Sequence, residues 1–527
     1  MAGSAWHRRT SLQAPRFDDR KPDLRSGDPA GKGRPLSRAH RGFQGRYPVP
    51  MIKSSEFALE EPMHSTTSWR FPLTVAALAL ACLACSVVSR ILEGPIPTST
   101  PTSVPPARTP SPTPSPTSEA GTGAPVLSPK IVAQMEELED QVVELRGLAP
   151  TGPVERALLS TEELRQHVID DFLADYTEEE ASFDVRVYSL LGLLEPDFDL
   201  WNLLLELYTE QVAGFYDDDA KKMYVVGGSA FAGTERLTYV HEYVHALQDQ
   251  TYDLENGVGY SDEACDANSD LCTALSSLVE GDASLLEEKW LINLSTEQDK
   301  KDILSFFDTF TSPVFDAAPA FLQEDFYFPY VTGYEFAQQL YLKGGWSGVD
   351  GAYGELPQSS EQILHPDRYP KDRPVLLQVP DLLTSLGEGW QEIDRDVLGE
   401  WYTRLVLREH LEDEESAVQV AEGWAGDYLL AFLKQDTGEE ALVWVTAWDS
   451  VGEAQEFAAA FEDYGDARFG RHDSSNDGGA TWDGAGPYTI LERRADQSLV
   501  LFAPDRDTAL ALRQGVVFPA PITADGD

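Results

Sequence analysis

From Ile131 onward the hydrophobic positions return every three or four residues, at Ile131, Met135, Leu138, Val142 and Leu145. That spacing predicts an amphipathic helix with one apolar face. Ser160 and Glu163 stand in capping-box spacing ahead of Leu164, Val168, Ile169 and Phe172, so a second helix should begin there. A third runs through Trp201–Tyr208. The period then shortens. Gln211–Tyr216 and Lys222–Val226 flank Asp217-Asp218-Asp219-Ala220-Lys221, the pattern of a hairpin with a polar turn. Helical spacing resumes at Leu237, Val240, Val244 and Leu247.

The character changes again from about Ala417. Tyr428–Leu433 and Ala441–Val445 read as strands, Ala454–Phe461 as a helix, Tyr488–Leu491 and Ser498–Phe502 as strands, and Asp507–Gln514 as a closing helix. Helices on an antiparallel sheet make this a small α+β unit over 416–527, without evident chemistry of its own. The expected fold class is α+β: a mainly helical domain over 130–415 with a small antiparallel edge sheet, then the smaller C-terminal unit.

Upstream of residue 130 no such periodicity exists. Residues 1–68 are basic, with nine arginines between Arg8 and Arg46, and are expected to be disordered. Phe71–Val88, within 69–90, is an apolar run preceded by Arg70, which suits a signal peptide or a membrane anchor. It contains Leu83-Ala84-Cys85, a small-residue run ending in a cysteine as in bacterial lipoproteins, and Cys85 is favoured over Cys82 as the lipid-bearing residue. Met51 and Met63 each precede the run at signal-peptide distance, so either is a candidate for the true start. Pro, Thr and Ser dominate 91–129, which reads as an extended stalk. Anchor or lipid, the positive flank keeps the body of the chain outside the cytoplasm.

Charge narrows the partners. Forty Lys and Arg against 89 Asp and Glu give a formal net charge of -49, which excludes a phosphate-neutralising nucleic-acid surface.

The chemistry concentrates in His241-Glu242-Tyr243-Val244-His245. Histidines four apart on a helix share a face, so both can reach one metal ion, and Glu242 is placed to take a proton from water at that ion. A third ligand is needed. Position 251, where an extended motif would put another histidine, is Thr251. Glu280, amid Leu278, Val279 and Ala283, is costly to bury unless paired or metal-bound, and is the best candidate. Asp282 is the next, as ligand or as a partner orienting a histidine. Glu287 and Glu288 read as a solvated face. Cys265 and Cys272 are expected to form a disulfide outside the cytoplasm, with zinc ligation by the two thiolates as the alternative.

From Leu205 to Tyr369 these residues resemble the gluzincins, the thermolysin-like zinc metallopeptidases. The resemblance implies Zn2+ held by His241, His245 and Glu280, Glu242 as general base, and a zincin-like catalytic domain whose hairpin edge pairs with an extended peptide. Many members carry an aspartate four residues after the ligand glutamate, bonded to a zinc histidine. Here that position is Ser284, which leaves the role to Asp282 or Asp249. Members also use a Tyr or His to stabilise the oxyanion. The segments Tyr330–Glu335 and Ser360–Pro366 can supply one, and His365 is favoured over Tyr334. The expectation is an extracytoplasmic zinc metallopeptidase acting on peptide or protein substrates and held at the membrane. An inactive zinc-binding surface protein, or a zinc amidase acting on a non-protein cell-envelope component, stand as alternatives.

Overall fold

Apolar periodicity and polar caps decide where each element begins and ends. The computed structural model describes residues 127–518, apart from 170–175, 212–213, 219, 227–230, 262–263, 266–267, 412–413 and 475–478. The segments expected to form the basic arm, the anchor with Cys85 and nearly all of the stalk lie outside the described residues. Among the described residues no helix is long and apolar enough to cross a membrane.

Helix α1 (Pro129–Arg146) starts on a Ser128 side-chain cap and stops at Gly147, whose φ of 83° lets the chain turn out of the helix. Met135, Leu138 and Val142 on its apolar face are fully buried. Strand β1 (Glu155–Leu159) leads to α2 (Thr161–His167), which carries the expected capping box of Ser160 and Glu163. Helices α3 (Glu178–Leu190) and α4 (Leu200–Gln211) follow. The expected hairpin is β2 (Gly214–Asp217) with β3 (Lys222–Val226), paired antiparallel. It is joined by β1, which runs parallel to β3, so the sheet has three strands in the order β1-β3-β2. β2 is thereby left at an edge.

The helical body is then built from α5 (Gly233–Tyr252), α6 (Ser269–Asn293), α7 (Glu297–Phe307), α8 (Ala320–Gly344) and the short α9 (Ser360–Leu364). α8 packs along α6 through Gly281 and Gly333. A methyl group on Gly281 would run into the Gly333 carbonyl, and one on Gly333 into the Ser277 carbonyl. Only glycine permits that backbone approach. Cys265 and Cys272 are joined in a disulfide that closes the start of α6.

The C-terminal sheet contains the four expected strands and three more, Trp390–Asp396, Asp473–Ser474 and Ala480–Trp482. β4 (Trp390–Asp396) is the edge strand beside β5 (Trp424–Lys434), so the sheet starts upstream of the expected boundary at 416. Helix α10 (Gly399–His410) lies between them in sequence. The boundary was hidden because Trp390-Gln391-Glu392-Ile393-Asp394-Arg395-Asp396 is mostly polar, as an edge strand can be. β6 (Glu439–Trp448), helix α11 (Val451–Phe469), β7 (Asp473–Ser474), β8 (Ala480–Trp482), β9 (Tyr488–Arg494), β10 (Gln497–Ala503) and α12 (Arg506–Gly515) complete it. The strand order is β4-β5-β6-β10-β9-β8-β7. Along β5, Tyr428, Leu430 and Phe432 face one core with Ala509 and Leu512 of α12, while Leu429, Ala431 and Leu433 join the core that includes Phe457 and Phe461 of α11. Both faces are covered, which explains the unbroken apolar run in the sequence. The fold class is α+β, as the sequence implies.

Candidate metal centre

Helix α5 is buried on all sides over most of its length. Leu237, Val240, Val244 and Leu247 are sealed against Met135, Leu138 and Val142 of α1 and Leu286 and Trp290 of α6. That packing forces the opposite, polar face into the interior as well. His241 and His245 lie one turn apart with ring centroids 4.8 Å from each other, both wholly buried. From α6, Glu280 Oε2 stands 3.1 Å from His241 Nε2 and 3.3 Å from His245 Nε2. One ligand atom from each of these three residues falls within 4.8 Å of the other two. The elements of the expected ligand set are therefore brought together.

Each ring is held from behind. His241 Nδ1 lies 3.0 Å from Glu287 Oε2. Glu287 is 3% exposed, so the solvated face expected for it does not exist. The packing of α6 onto α5 turns Glu287 inward, while Glu288 beside it is half-buried. Ser284, one turn earlier, is buried with its Oγ unpartnered among the described residues. His245 Nδ1 lies 2.8 Å from Gln248 Oε1. The Gln248 amide nitrogen donates to the Val279 carbonyl at 2.9 Å and to Asp282 Oδ2 at 3.1 Å. Its oxygen must then accept, so His245 carries its proton on Nδ1, a tautomer assigned from this network. Asp282 is gripped in turn by Arg146 through Nε at 2.8 Å and Nη2 at 2.9 Å, and by the Tyr353 hydroxyl at 3.0 Å. Asp282 thus acts through Gln248 and does not touch a ring. Asp249 accepts from the Tyr216 hydroxyl at 2.8 Å and pairs with Lys221, tying α5 to the hairpin.

Glu242 projects toward the edge strand. Its Oε2 accepts the backbone N–H of Tyr216 at 3.0 Å, while Oε1 is buried without a partner. Burial pushes this carboxyl up to about 7, against the pull of the two histidines. For His241, burial disfavours the cation, yet Glu280 and Glu287 overcome it and hold the ring up to about 10. Glu280 answers in the opposite direction. Burial would raise it, but His245 and His241 keep it down to about 2. Two imidazoles facing an ionised carboxylate form a site where a bound proton can be exchanged for a metal cation.

Two orphaned buried atoms test the fit to a metal. Glu242 Oε1 is buried without a hydrogen bond among the described residues, and His245 Nε2, whose ring carries its proton on Nδ1, faces the Glu280 carboxylate at 3.3 Å with no proton to share. Buried polar atoms are seldom left unpaired, and a metal ion with its water supplies what these two lack. The donor set of two neutral imidazoles and one carboxylate suits Zn2+.

The other predicted residue is elsewhere. His365 Nε2 is bound to Glu400 of α10 at 2.9 and 3.1 Å, and no contact joins it to His241, Glu242, His245 or Glu280. Pro366 follows the C-cap of α9, and the His365 ring is held there by Glu400. Tyr334, the other candidate, is engaged by Gln338. The hydroxyl that reaches the centre is Tyr330, one turn earlier on α8, donating to Glu280 Oε1 at 3.3 Å. Its ring lies 6.3 Å from that of His241. A cavity of about 70 Å3 opens beside Glu280 and Tyr330 and extends under α3 and β4.

Residues 385–513, which include all seven strands of the C-terminal sheet, match a family described as a domain of unknown function, DUF8575. The centre lies outside that match. No curated protein and no solved structure matches the chain.

Proposed function

We propose that this chain is a zinc-dependent metallopeptidase of gluzincin type that works outside the cytoplasm, held at the membrane by the apolar run 71–88 or a lipid on Cys85. The observation that carries the reading is the convergence of His241, His245 and Glu280 with an unpaired Glu242 oxygen beside them. A site that only bound metal would have no use for Glu242, which contributes no ligand atom to that group and is buried at a cost.

The residues divide the work. Zn2+ held by His241, His245 and Glu280 would supply Lewis acidity to water and to the scissile carbonyl. Glu242, fixed by the Tyr216 N–H through one oxygen, takes a proton from the attacking water with the other and passes it to the leaving amine. A carboxyl held near neutrality serves both transfers, since it neither clings to the proton nor refuses it. Tyr330 donates its hydroxyl proton toward the carbonyl oxygen as negative charge gathers there. Glu287 and Gln248 hold the two imidazoles in the tautomer that turns Nε2 inward.

Glu242→Gln is the direct test. The expected result is a protein that still takes up one Zn2+ and no longer cuts a peptide library that the unaltered protein cuts. Retained hydrolysis in the variant would overturn the mechanism.

A further inference from the structure

We propose that the cavity beside Glu280 and Tyr330 receives the cationic side chain, lysine or arginine, of the peptide to be cut. This rests on the peptidase reading above and names its substrate class. The walls suit the stem of such a side chain. Val187 and Tyr188 of α3, Phe326 and Pro329 of α8 and Leu398 give an apolar sleeve for methylene groups.

The charged lining is wholly acidic, set among the hydroxyls of Ser269, Thr273, Ser276 and four tyrosines. Asp184 of α3 and Asp394 and Asp396 of β4 all face the cavity, and no lysine, arginine or histidine lines it. Asp184 is 3% exposed. One of its oxygens accepts from the Tyr176 hydroxyl at 2.6 Å, and the other has no partner among the described residues. The nearest arginines in sequence are spoken for: Arg186 pairs with Glu440, and Arg395 with Glu392. Asp396 is met only by neutral donors, the N–H of Ser269 at 2.8 Å and of Val397 at 2.7 Å and the Ser269 hydroxyl at 2.5 Å.

A buried Asp184 beside two half-buried carboxylates, Asp394 and Asp396, with no cation on the cavity wall is a costly arrangement. Burial lifts Asp184 and Asp394 well above the usual carboxylate range, with repulsion from Asp396 on both and from Asp184 on Asp394 adding to it. An entering guanidinium or ammonium group removes that cost by pairing with them. A neutral side chain of the same length leaves them unpaired, and this is the condition under which a pocket discriminates strongly. The cation wanted is an extended organic one. Among the described residues these three aspartates do not form a group able to share a metal ion, whereas the histidine site does.

The test uses the zinc-loaded protein and peptides acetylated at the amino terminus, so that no α-amine can act as the cation. Substrates containing arginine or lysine should be cut at least about tenfold faster than those with norleucine or glutamine at the same place. Asp184→Asn should reduce that ratio toward one. Asp394→Asn, on a different element, should do the same and guards against a folding defect in the first variant. Cleavage without a basic preference, or only of peptides with a free amine, overturns the proposal. If no peptide is cut, the peptidase reading fails, and a second measurement decides the pocket alone. Binding of acetyl-arginine amide to Glu242→Gln protein, followed by calorimetry, should weaken when Asp184→Asn is added. No binding, or binding indifferent to Asp184, overturns it.

Discussion

Gln248 Oε1 lies 2.8 Å from Nδ1 of His245, while the other end of the same amide is held by Val279 and Asp282. An amide fixed at its nitrogen cannot flip, so it dictates which nitrogen of His245 is left unprotonated and facing Glu280. Gln248→Leu keeps the volume and removes that control. Zinc affinity should fall by about 10–100-fold, measured by competition against a chelator. Glu287→Ala at His241 should act in the same direction. Unchanged affinity in both would mean the rings are oriented by packing alone.

Tyr330 and His365 make opposite predictions for the same role. Tyr330→Phe should lower kcat by about 10²–10³-fold with zinc content and KM little altered, because the lost bond matters most when charge develops. His365→Gln should leave kcat in place, since its ring is bound to Glu400. Steady-state kinetics on both variants separates them.

Asp270, at the start of α6, should make stability depend on pH. Burial lifts its carboxyl from the ordinary 3.8 to about 8, against the Ser360 bonds that favour the ionised form. Below the unfolded value both states hold the proton, and the folded state suffers no penalty. As pH rises toward 8 the unfolded chain releases its proton while the folded chain keeps it, so stability falls, by at most about 1.4 kcal/mol per pH unit. The melting temperature should therefore drop between pH 5 and pH 8, and Asp270→Asn should flatten the drop. Parallel profiles for the two proteins would refute the assignment.

Gly281→Ala should destabilise the protein by about 1–3 kcal/mol, the usual cost of overpacking, because the new methyl meets the Gly333 carbonyl. Forcing α6 and α8 apart also separates Tyr330 from Glu280. The variant should lose catalytic rate beyond what its residual folded fraction explains, which a melt combined with kinetics will show.

What could be read from the chain alone followed the range of each signal. His241 and His245 are neighbours on one helix, so four residues sufficed to pair them. Glu280 stood out because a carboxylate among Leu278, Val279 and Ala283 has to be compensated. Glu287 did not, because Glu287-Glu288-Lys289 looks like any exposed turn of helix, and only the packing of α6 against α5 decides which of them faces inward. Arg146 and Asp282 meet across a separation that no periodicity encodes. Tyr330 was within a named segment, but which tyrosine faces the centre depends on how α8 rotates against α6. The polar strand β4 escaped notice for the same reason that it matters. Its alternating acids look like a loop, and two of them line the cavity.

The contact of Gly281 with Gly333 divides the molecule into what can drift and what cannot. Glu280 and Tyr330 ride on the two helices locked there, so their relative placement tolerates no stepwise change in either glycine. Asp184 and Asp394 sit on α3 and β4, off that joint. A lineage descended from this chain can exchange the charge of its pocket one residue at a time, while the frame that carries Glu280 and Tyr330 is inherited intact.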